Sequence, residues 1–212
     1  SASTMMGSEN MSEETERSSF DWETRFAANE TPWERPGLHP AVLAWAEAGE
    51  FVPGSRLIIP GCGRSPELAF LAARGLDVTG ADLSPTALAF QRQTLDTAGH
   101  DATLLEGDAL AHRPDAPYDT VYEQTFLCAI PPRLRVDYER ALCDWLRPGG
   151  HLLALFMQKD VPGGPPFGCA LPAMRELFPA QRWIWPDDSD FVACPHPSLG
   201  AKAELAGVLV RR

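Results

Sequence analysis

Short apolar runs alternate with amphipathic stretches through the middle of this chain. Runs with the length and composition of strands lie at positions 56–60, 78–82, 103–105 and from 120–122 onward. Apolar residues at helical spacing lie between and after these runs, over 66–74, over 85–97 and from Leu134 to Trp145. This alternation predicts repeated βα units, and therefore a mostly parallel sheet with helices on both faces.

The ends of the chain follow other patterns. Pro148, Gly149 and Gly150 predict the end of the third helix before an apolar strand over 151–156. The last third predicts a short helix over 172–178 and two closing strands, possible partners in an antiparallel edge pair, over 182–185 and 205–210. Residues 1–18 are polar without periodicity, which predicts a disordered segment or a cloning remnant ahead of one domain over 19–212.

Composition and charge limit the classes of partner that this domain can bind. The length of 212 residues suits one α/β domain, and a net charge of −11 opposes nucleic-acid binding, which needs a concentrated Lys and Arg surface. No apolar run reaches the roughly 18 residues that cross a bilayer, and the N-terminus lacks a signal-peptide pattern. We therefore expect a cytoplasmic protein with a small-molecule partner and no membrane partner.

Metal chemistry is not expected from the cysteines. The five cysteines are scattered and never spaced C-x-x-C, which argues against a zinc or redox site. Cys62 and Cys128 lie beside loops of the predicted site, where a nucleophilic thiol is conceivable, although small apolar packing residues are the more common case. We assign no metal and no covalent nucleophile.

The clearest chemical signal is a glycine turn directly after the first predicted strand. Gly61 and Gly63 would let the backbone approach a nucleotide-like ligand closely. Pro66 stands where a dinucleotide fingerprint has its third glycine, which argues against pyrophosphate binding and against a nicotinamide-dependent oxidoreductase. Taken alone, the turn could equally be a structural βα connection.

Two aspartates follow the next two strands. Asp82 lies 19 residues beyond Gly63, where a carboxylate can accept hydrogen bonds from both hydroxyls of an adenosine ribose. Asp108 follows the third strand and could accept from an adenine amino group. A helix cap at Asp82, for which Ser84 is better suited, and a loop aspartate at Asp108 are the structural alternatives. Together with the glycine turn, these residues converge on one crevice and predict an adenosine ligand without pyrophosphate, which S-adenosylmethionine fits.

These motifs resemble the thiopurine and thiol/halide methyltransferase family, a branch of the class I S-adenosylmethionine-dependent methyltransferases. The resemblance runs from about Trp22 to the C-terminus and rests on Thr31-Pro32-Trp33-Glu34, Ile59-Pro60-Gly61-Cys62-Gly63-Arg64, Gly80-Ala81-Asp82-Leu83-Ser84, Tyr118-Asp119, Cys128-Ala129-Ile130-Pro131-Pro132 and Gly163-Gly164-Pro165-Pro166-Phe167. It implies a Rossmann-like class I fold with a mostly parallel seven-stranded sheet and an antiparallel edge strand. It also implies S-adenosylmethionine as the cofactor and S-adenosylhomocysteine as the product.

The resemblance also implies site residues. The cofactor would contact an N-terminal aromatic lid over 19–38 and the ends of the strands, through Trp22, Phe26, Trp33, Gly61, Gly63, Asp82, Asp108, Ala109 and Gln124. The methyl acceptor would contact Trp33, Gln158 and Phe167. Phe26 stands where relatives often have a second tryptophan, and Gln124 and Gln158 replace tyrosine or arginine types. These departures leave the identity of the acceptor open.

The expected reaction is direct displacement, in which a soft nucleophile attacks the sulfonium methyl group. A thiol ionises with a pKa near 8.5, so a strong base is not required. Glu123 and His39 are the proton acceptors nearest the predicted crevice, and each could instead be structural. We expect a small, largely uncharged thiol or thiopurine, because no basic cluster accompanies the motifs.

Other acceptors and one other function class stay open at this point. Halide, selenium, tellurium or a specialised metabolite could be methylated, and a non-catalytic S-adenosylmethionine-binding protein would carry the same cofactor motifs. The sequence is compatible with a monomer or a small homo-oligomer.

Overall fold

The computed structural model describes residues 21–200 and 202–212. Within them, eight strands form one sheet in the order β3-β2-β1-β4-β5-β8-β6, with β7 paired to β8. The strands are β1 Arg56–Pro60, β2 Asp77–Asp82, β3 Thr103–Glu106, β4 Tyr118–Glu123, β5 Leu146–Met157, β6 Trp183–Ile184, β7 Val192–Pro195 and β8 Ala203–Arg211. Strands β1 to β5 pair in parallel, and β8 pairs antiparallel to β5, β6 and β7.

Six α-helices accompany the sheet in the described residues. They are α1 Trp22–Ala27, α2 Pro40–Glu47, α3 Glu67–Ala73, α4 Pro85–Ala98, α5 Arg135–Trp145 and α6 Leu171–Leu177. Local sequence explains where α4 begins and ends: Ser84 caps its first turn, Pro85 occupies the first helical position, and Gly99 ends it with a φ of 74°. The predicted alternation of strands and helices is therefore confirmed.

The sheet buries an apolar core on each face. Along β1, Leu57 and Ile59 face one core while Ile58 faces the other, as the two-residue period of a strand requires. The first core includes Val42 of α2, Leu68 and Leu71 of α3 and Leu88 and Leu95 of α4. The second includes Tyr138, Leu142 and Trp145 of α5 and Met174 of α6. The prediction of helices on both faces is confirmed by this division.

Two details differ from the sequence-based expectation. The sheet has eight strands rather than seven, because the short segment β7 pairs with β8. Helix α5 ends at Trp145, before Pro148, because Leu146 is already extended and pairs with Tyr118. The register of β5 against β4 then shifts, and Pro148, Gly149 and Gly150 lie in the irregular part of β5 instead of a helix end.

The segment over 1–18 and the first two residues of the expected lid lie outside the described residues. Among residues 21–200 and 202–212, none of the helices combines the length and the apolar run that a membrane crossing requires.

Candidate active site

A cavity of about 890 Å³ opens at the carboxyl ends of the central strands. Its wall comes from the turns after β1 and β2, the loops after β3 and β4, and the N-terminal segment before α2. Its size lies in the range of roughly 300–1,000 Å³ that is usual for small-molecule sites. All nine residues expected to contact the cofactor line this cavity: Trp22, Phe26, Trp33, Gly61, Gly63, Asp82, Asp108, Ala109 and Gln124.

The glycine turn brings backbone directly against the cavity. Gly61 and Gly63 have φ angles of 59° and 49°, in the left-handed region that favours glycine. A Cβ added to Gly61 would lie 2.6 Å from a ring carbon of Phe126, and one added to Gly63 would lie 3.0 Å from Phe26. Both backbone conformation and close packing therefore require glycine in this turn.

Asp82 joins this turn to the end of β2. Its Oδ2 accepts from the amide of Gly63 at 2.8 Å, and its Oδ1 accepts from the amide of Ser84 at 2.9 Å. Burial raises the pKa of Asp82 from its ordinary value, although these amide hydrogen bonds act in the opposite direction. The capping role considered for Asp82 belongs to Ser84, whose Oγ accepts from the amide of Ala87.

Asp108 and Ala109 line the cavity directly after the end of β3. The carboxylate of Asp108 accepts from the amide of Leu110 at 3.0 Å and begins a short 3₁₀ turn over Ala109–Ala111. Asp82 and Asp108 are thus at the ends of neighbouring strands, with the glycine turn of the next strand beside them. This end of the cavity, defined by Gly61, Gly63, Asp82, Asp108 and Ala109, is called the adenosine end below.

The N-terminal segment covers the cavity through aromatic contacts. The rings of Trp22 and Phe26 both pack edge-on against Trp33, with centroids 5.2 and 5.5 Å away. Glu23 fixes α1 to the start of α4, because its carboxylate accepts from the amide of Thr86 at 2.7 Å and from the hydroxyl of Ser84 at 2.9 Å.

Arg64 ties the same segment to the glycine turn. Its Nε and Nη2 donate to the two carboxylate oxygens of Glu34 at 3.0 and 2.7 Å, and its Nη1 donates to Asn29 at 2.8 Å. Glu34 raises the pKa of Arg64 from its ordinary value through this hydrogen bonding. Such a two-pronged guanidinium–carboxylate pair fixes geometry as well as charge.

Gln124 lies beyond the end of β4 and is held by a buried polar network. The hydroxyl of Tyr122 donates to Oε1 of Gln124 at 2.7 Å, with Oε1 of Glu67 farther away at 3.4 Å. Glu67 also accepts from the amide of His39 at 2.9 Å and from the hydroxyl of Ser65. Burial and the nearby Glu67 raise the pKa of Tyr122 well above its ordinary value, so its proton stays available to Gln124.

Another part of the cavity wall, called the acceptor end below, is largely apolar. Its residues come from the last residue of β5 and from the segments after β4, β5 and β7: Phe126, Cys128, Ala129, Ile130, Pro131, Leu134, Met157, Pro165, Pro166 and Leu199. Burial raises the pKa of Cys128 well above its ordinary value, which keeps its thiol protonated and unsuited to nucleophilic attack.

Two residues expected at the acceptor do not line this cavity. The amide of Gln158 donates to the carbonyls of Phe156 and Cys169 at 3.1 and 3.0 Å, so it supports the backbone behind the wall. Phe167 packs on Gly164, and its amide donates to the carbonyl of Cys128 at 2.7 Å. Their neighbours Met157 and Pro166 occupy the wall instead.

Neither expected proton acceptor lines the cavity. His39 is fully buried, where Nδ1 accepts from the amide of Ala41 at 3.0 Å and Nε2 contacts Glu204 at 3.1 Å. Glu123 accepts from the amide of Leu127 at 2.5 Å, and its other oxygen has no partner within the described residues. Burial raises the pKa of Glu123 to about 8. Both side chains therefore belong to the support of the site.

Comparison with known proteins identifies the family. The profile described as Thiopurine S-methyltransferase (TPMT) matches residues 17–186. This chain belongs to that family. Relatives include "Probable thiol methyltransferase 2" of Arabidopsis thaliana, 32% identical over 157 residues (72% of this chain, 69% of the relative). They also include thiopurine S-methyltransferase of Pseudomonas putida (strain GB-1), 31% identical over 163 residues (69% of this chain, 76% of the relative).

Solved structures agree with this assignment. A structure from "Conversion of a Disulfide Bond into a Thioacetal Group during Echinomycin Biosynthesis" has a TM-score of 0.68 and 25% identity, covering 85% of this chain and 84% of its own. A Burkholderia thailandensis N1-methyltransferase with bound 1,6-didemethyltoxoflavin and S-adenosylhomocysteine has a TM-score of 0.74 and 19% identity, covering 96% and 89%. The latter supports the fold alone. The expected class I methyltransferase fold is confirmed.

This family member is an S-adenosylmethionine-dependent methyltransferase, and its residues fit that cofactor. Each carboxylate oxygen of Asp82 accepts one backbone amide, whereas a carboxylate oxygen can accept two hydrogen bonds. Each oxygen therefore has capacity for one ribose hydroxyl. Pro66, at the start of α3, makes no side-chain cap. The nicotinamide alternative is set aside, because the family uses S-adenosylmethionine.

Sequence reasoning missed Arg25, Arg35 and Glu67 and gave no site role to Arg64, which it named only within the motif of the glycine turn. All four line the cavity. The cavity wall therefore contains three arginines, Arg25, Arg35 and Arg64, to which the sequence analysis gave no role. The position of Arg64 beside the glycine turn was an available signal, whereas Arg35 has no local motif because its partner Glu204 lies 169 residues away.

Proposed function

We propose that this methyltransferase transfers the methyl group of S-adenosylmethionine to the sulfur of a small apolar thiol or thiopurine. The observation that carries this proposal is the acceptor end, where an apolar wall formed by Phe126, Ile130, Leu134 and Met157 adjoins the cofactor residues. Apolar walls favour an apolar acceptor, and a soft sulfur nucleophile needs little assistance to lose its proton near neutral pH.

We further propose the roles of the cofactor residues. Asp82 accepts from the ribose hydroxyls, and Asp108 with Ala109 receives the adenine, because they lie at the ends of neighbouring strands. Trp22, Phe26 and Trp33 form a lid, since they pack on one another over the glycine turn. The lid and the rest of 19–212 act as one domain.

The cofactor supplies an electrophilic methyl group on a positively charged sulfur. The chain supplies position and exclusion of water. Gln124, fixed by Tyr122, lines the cavity just beyond the end of β4, and the proposed aromatic lid would keep water away from the reacting atoms. Holding two reactants in contact geometry can lower a barrier by roughly 7–11 kcal/mol, so positioning alone accounts for a large rate enhancement.

The test is steady-state methylation of four acceptors at equal concentration: an aromatic thiol, an alkyl thiol, iodide and a catechol. We expect the highest kcat/KM for one of the thiols, because the apolar wall contributes binding energy that iodide cannot use. Faster methylation of the catechol oxygen than of every sulfur acceptor contradicts the thiol proposal and leaves the methyltransferase assignment intact.

A further inference from the structure

A guanidinium group forms part of the cavity wall. Arg35 lines the cavity, and only 8% of its side chain is exposed. Its Nη2 donates to Oε1 of Glu204 at 2.9 Å and contacts the carbonyl of Cys194 at 3.4 Å. Its buried Nε has no hydrogen-bond partner within residues 21–200 and 202–212. A largely buried, permanently charged group in the wall of a cavity is a candidate for recognition of an anion through its charge.

Within the described part of the chain, the carboxylate that pairs with Arg35 is Glu204, which His39 also contacts. Glu204 on β8 accepts from Arg35 and, at 3.1 Å, contacts Nε2 of His39 at the start of α2. The remaining titratable neighbours are His196 and Cys194 from the β7 region and Tyr122 on β4. Burial and the charge of Arg35 both lower the pKa of His196, so this ring does not contribute a second cation.

The position of Arg35 separates it from the cofactor's adenosine. Glu204 lies on β8, which is four strands from β2 and Asp82 in the sheet order. Strand spacings of about 4.8 Å place the two strands on the order of 19 Å apart. A nucleophile must approach the methyl group opposite the bond that breaks, so the acceptor enters from the side away from the cofactor's sulfur. Glu204 pairs with Met157 of the acceptor end in the register of β8 against β5, so its partner Arg35 lies on that side of the cavity.

We propose that Arg35 is a specificity-determining residue that binds the methyl acceptor as an anion, in its thiolate form. This inference rests on the proposed function. The thiol proton passes to solvent, the thiolate sulfur forms a bond to the methyl carbon, and the carbon–sulfonium bond breaks with its electron pair remaining on the cofactor's sulfur. The products are a thioether and S-adenosylhomocysteine.

The acceptor loses its negative charge during the reaction, and this changes how strongly Arg35 attracts it. The thiolate is attracted to the guanidinium, whereas the thioether product carries no charge and loses that attraction. Arg35 therefore favours substrate over product without taking up a proton itself. Only 8% of the Arg35 side chain is exposed, and burial of a charge strengthens its electrostatic interactions, which favours this discrimination.

The test uses 4-nitrothiophenol, whose thiolate absorbs visible light, bound to the protein saturated with S-adenosylhomocysteine. We expect the bound thiol to ionise at lower pH than the free thiol. Arg35→Met should raise the pKa of the bound thiol by about 1 unit or more, and Arg35→Lys should restore part of the difference because it keeps the charge. Arg64→Met is the matched control, since it removes a cavity-lining charge that Glu34 already pairs.

Stability and cofactor affinity are measured alongside. If Arg35→Met does not fold because Glu204 is left unpaired, Arg35→Met/Glu204→Gln removes both charges and answers the same question. An unchanged pKa of the bound thiol in a folded variant overturns the proposal, as does a loss of S-adenosylmethionine affinity that shows Arg35 binding the cofactor's carboxylate. Turnover of the thiol by the unmodified protein reports separately on the proposed function.

Discussion

The two ends of the cavity are built in different ways. At the adenosine end, Asp82, Asp108 and the glycine turn each follow directly from a strand, and each is fixed by hydrogen bonds close in sequence or to the neighbouring strand. On the side of the acceptor end, Arg35 is fixed by Glu204, which is 169 residues away. Trp33 in the N-terminal segment is likewise fixed through its carbonyl by the distant His196, at 2.7 Å. The first end is local and polar, and the second is assembled from distant segments around an apolar wall.

This difference separates cofactor recognition from acceptor recognition. The adenosine end depends on the central parallel strands, whose register is set by burial on both faces of the sheet. The acceptor end depends on how the N-terminal segment, β7 and β8 meet. Changes at the acceptor end can therefore alter specificity while the cofactor remains bound, and the predictions below test that separation.

The largest effect is expected at Asp82. Asp82→Ala removes the proposed ribose contacts, and hydrogen bonds to a charged group contribute about 1.5–3 kcal/mol each, or about tenfold to a hundredfold in affinity per bond. We expect calorimetric titration with S-adenosylhomocysteine to show this loss. Asp77→Asn, at the exposed start of the same strand, should retain full affinity. Unchanged affinity in folded Asp82→Ala removes Asp82 from the cofactor site.

The contrast between the two ends also explains what could be predicted from the sequence. The glycine turn, Asp82 and Asp108 are visible because parallel strands bring their carboxyl ends to one edge, so strand order along the chain carries the geometry. The central strands and helices were predicted for the same reason, from their period and length.

The missed features share one cause. Strand β7, Val192–Pro195, has only 4 residues, ends in a proline and buries only Cys194, with two exposed positions before it and one after it, so no apolar period marks it. The carbonyl of Cys194 contacts Arg35, and His196, two residues farther along, contacts the carbonyl of Trp33. The main partner of Arg35 is Glu204 on β8, 169 residues away. Strand β7 and Arg35 therefore both depend on tertiary contacts with β8, which leave no local signal in the sequence.

A second large effect concerns Glu123, the buried carboxylate at the end of β4. Its pKa of about 8 in the folded protein exceeds the ordinary value of 4.5. Its contribution to stability is fully present below about pH 4.5 and is lost as the pH rises to about 8, on the order of a few kcal/mol. Glu123→Gln should flatten this dependence of Tm on pH.

The same variant tests whether Glu123 takes part in catalysis. Because its side chain does not line the cavity, we expect Glu123→Gln to keep kcat/KM for thiols within a few fold of the unmodified protein. If Tm of Glu123→Gln depends on pH as steeply as Tm of the unmodified protein, other groups cause the pH dependence. A loss of turnover in the folded variant would instead show that Glu123 accepts a proton during catalysis.

A smaller effect should be confined to the acceptor end. Ile130→Trp places a larger side chain on the apolar wall, and steric differences in such pockets change specificity by about 1–3 kcal/mol. We expect kcat/KM for a bulky aromatic thiol to fall about tenfold or more relative to a short alkyl thiol, with unchanged affinity for S-adenosylhomocysteine. Val136→Trp, at an exposed position on α5, is the control. An equal loss of kcat/KM for both thiols would mean that Ile130 contributes to packing of the protein and not to selection of the acceptor.

The smallest effect is expected at Arg64, which links the N-terminal segment to the glycine turn. Its bonds to Glu34 and Asn29 hold the N-terminal segment against the glycine turn, and a partly exposed ion pair of this kind contributes about 1 kcal/mol or less. In Arg64→Gln, amides over 22–34 should therefore exchange hydrogen several-fold faster without cofactor, while S-adenosylmethionine restores most of their protection by binding under the aromatic lid. Arg74→Gln, which removes an arginine packed on Phe70 away from the cavity, should leave that exchange unchanged. If the amides of 22–34 are equally protected in the unmodified protein with and without cofactor, the segment does not close over the cofactor. Arg64 then connects two parts of the site that are already rigid.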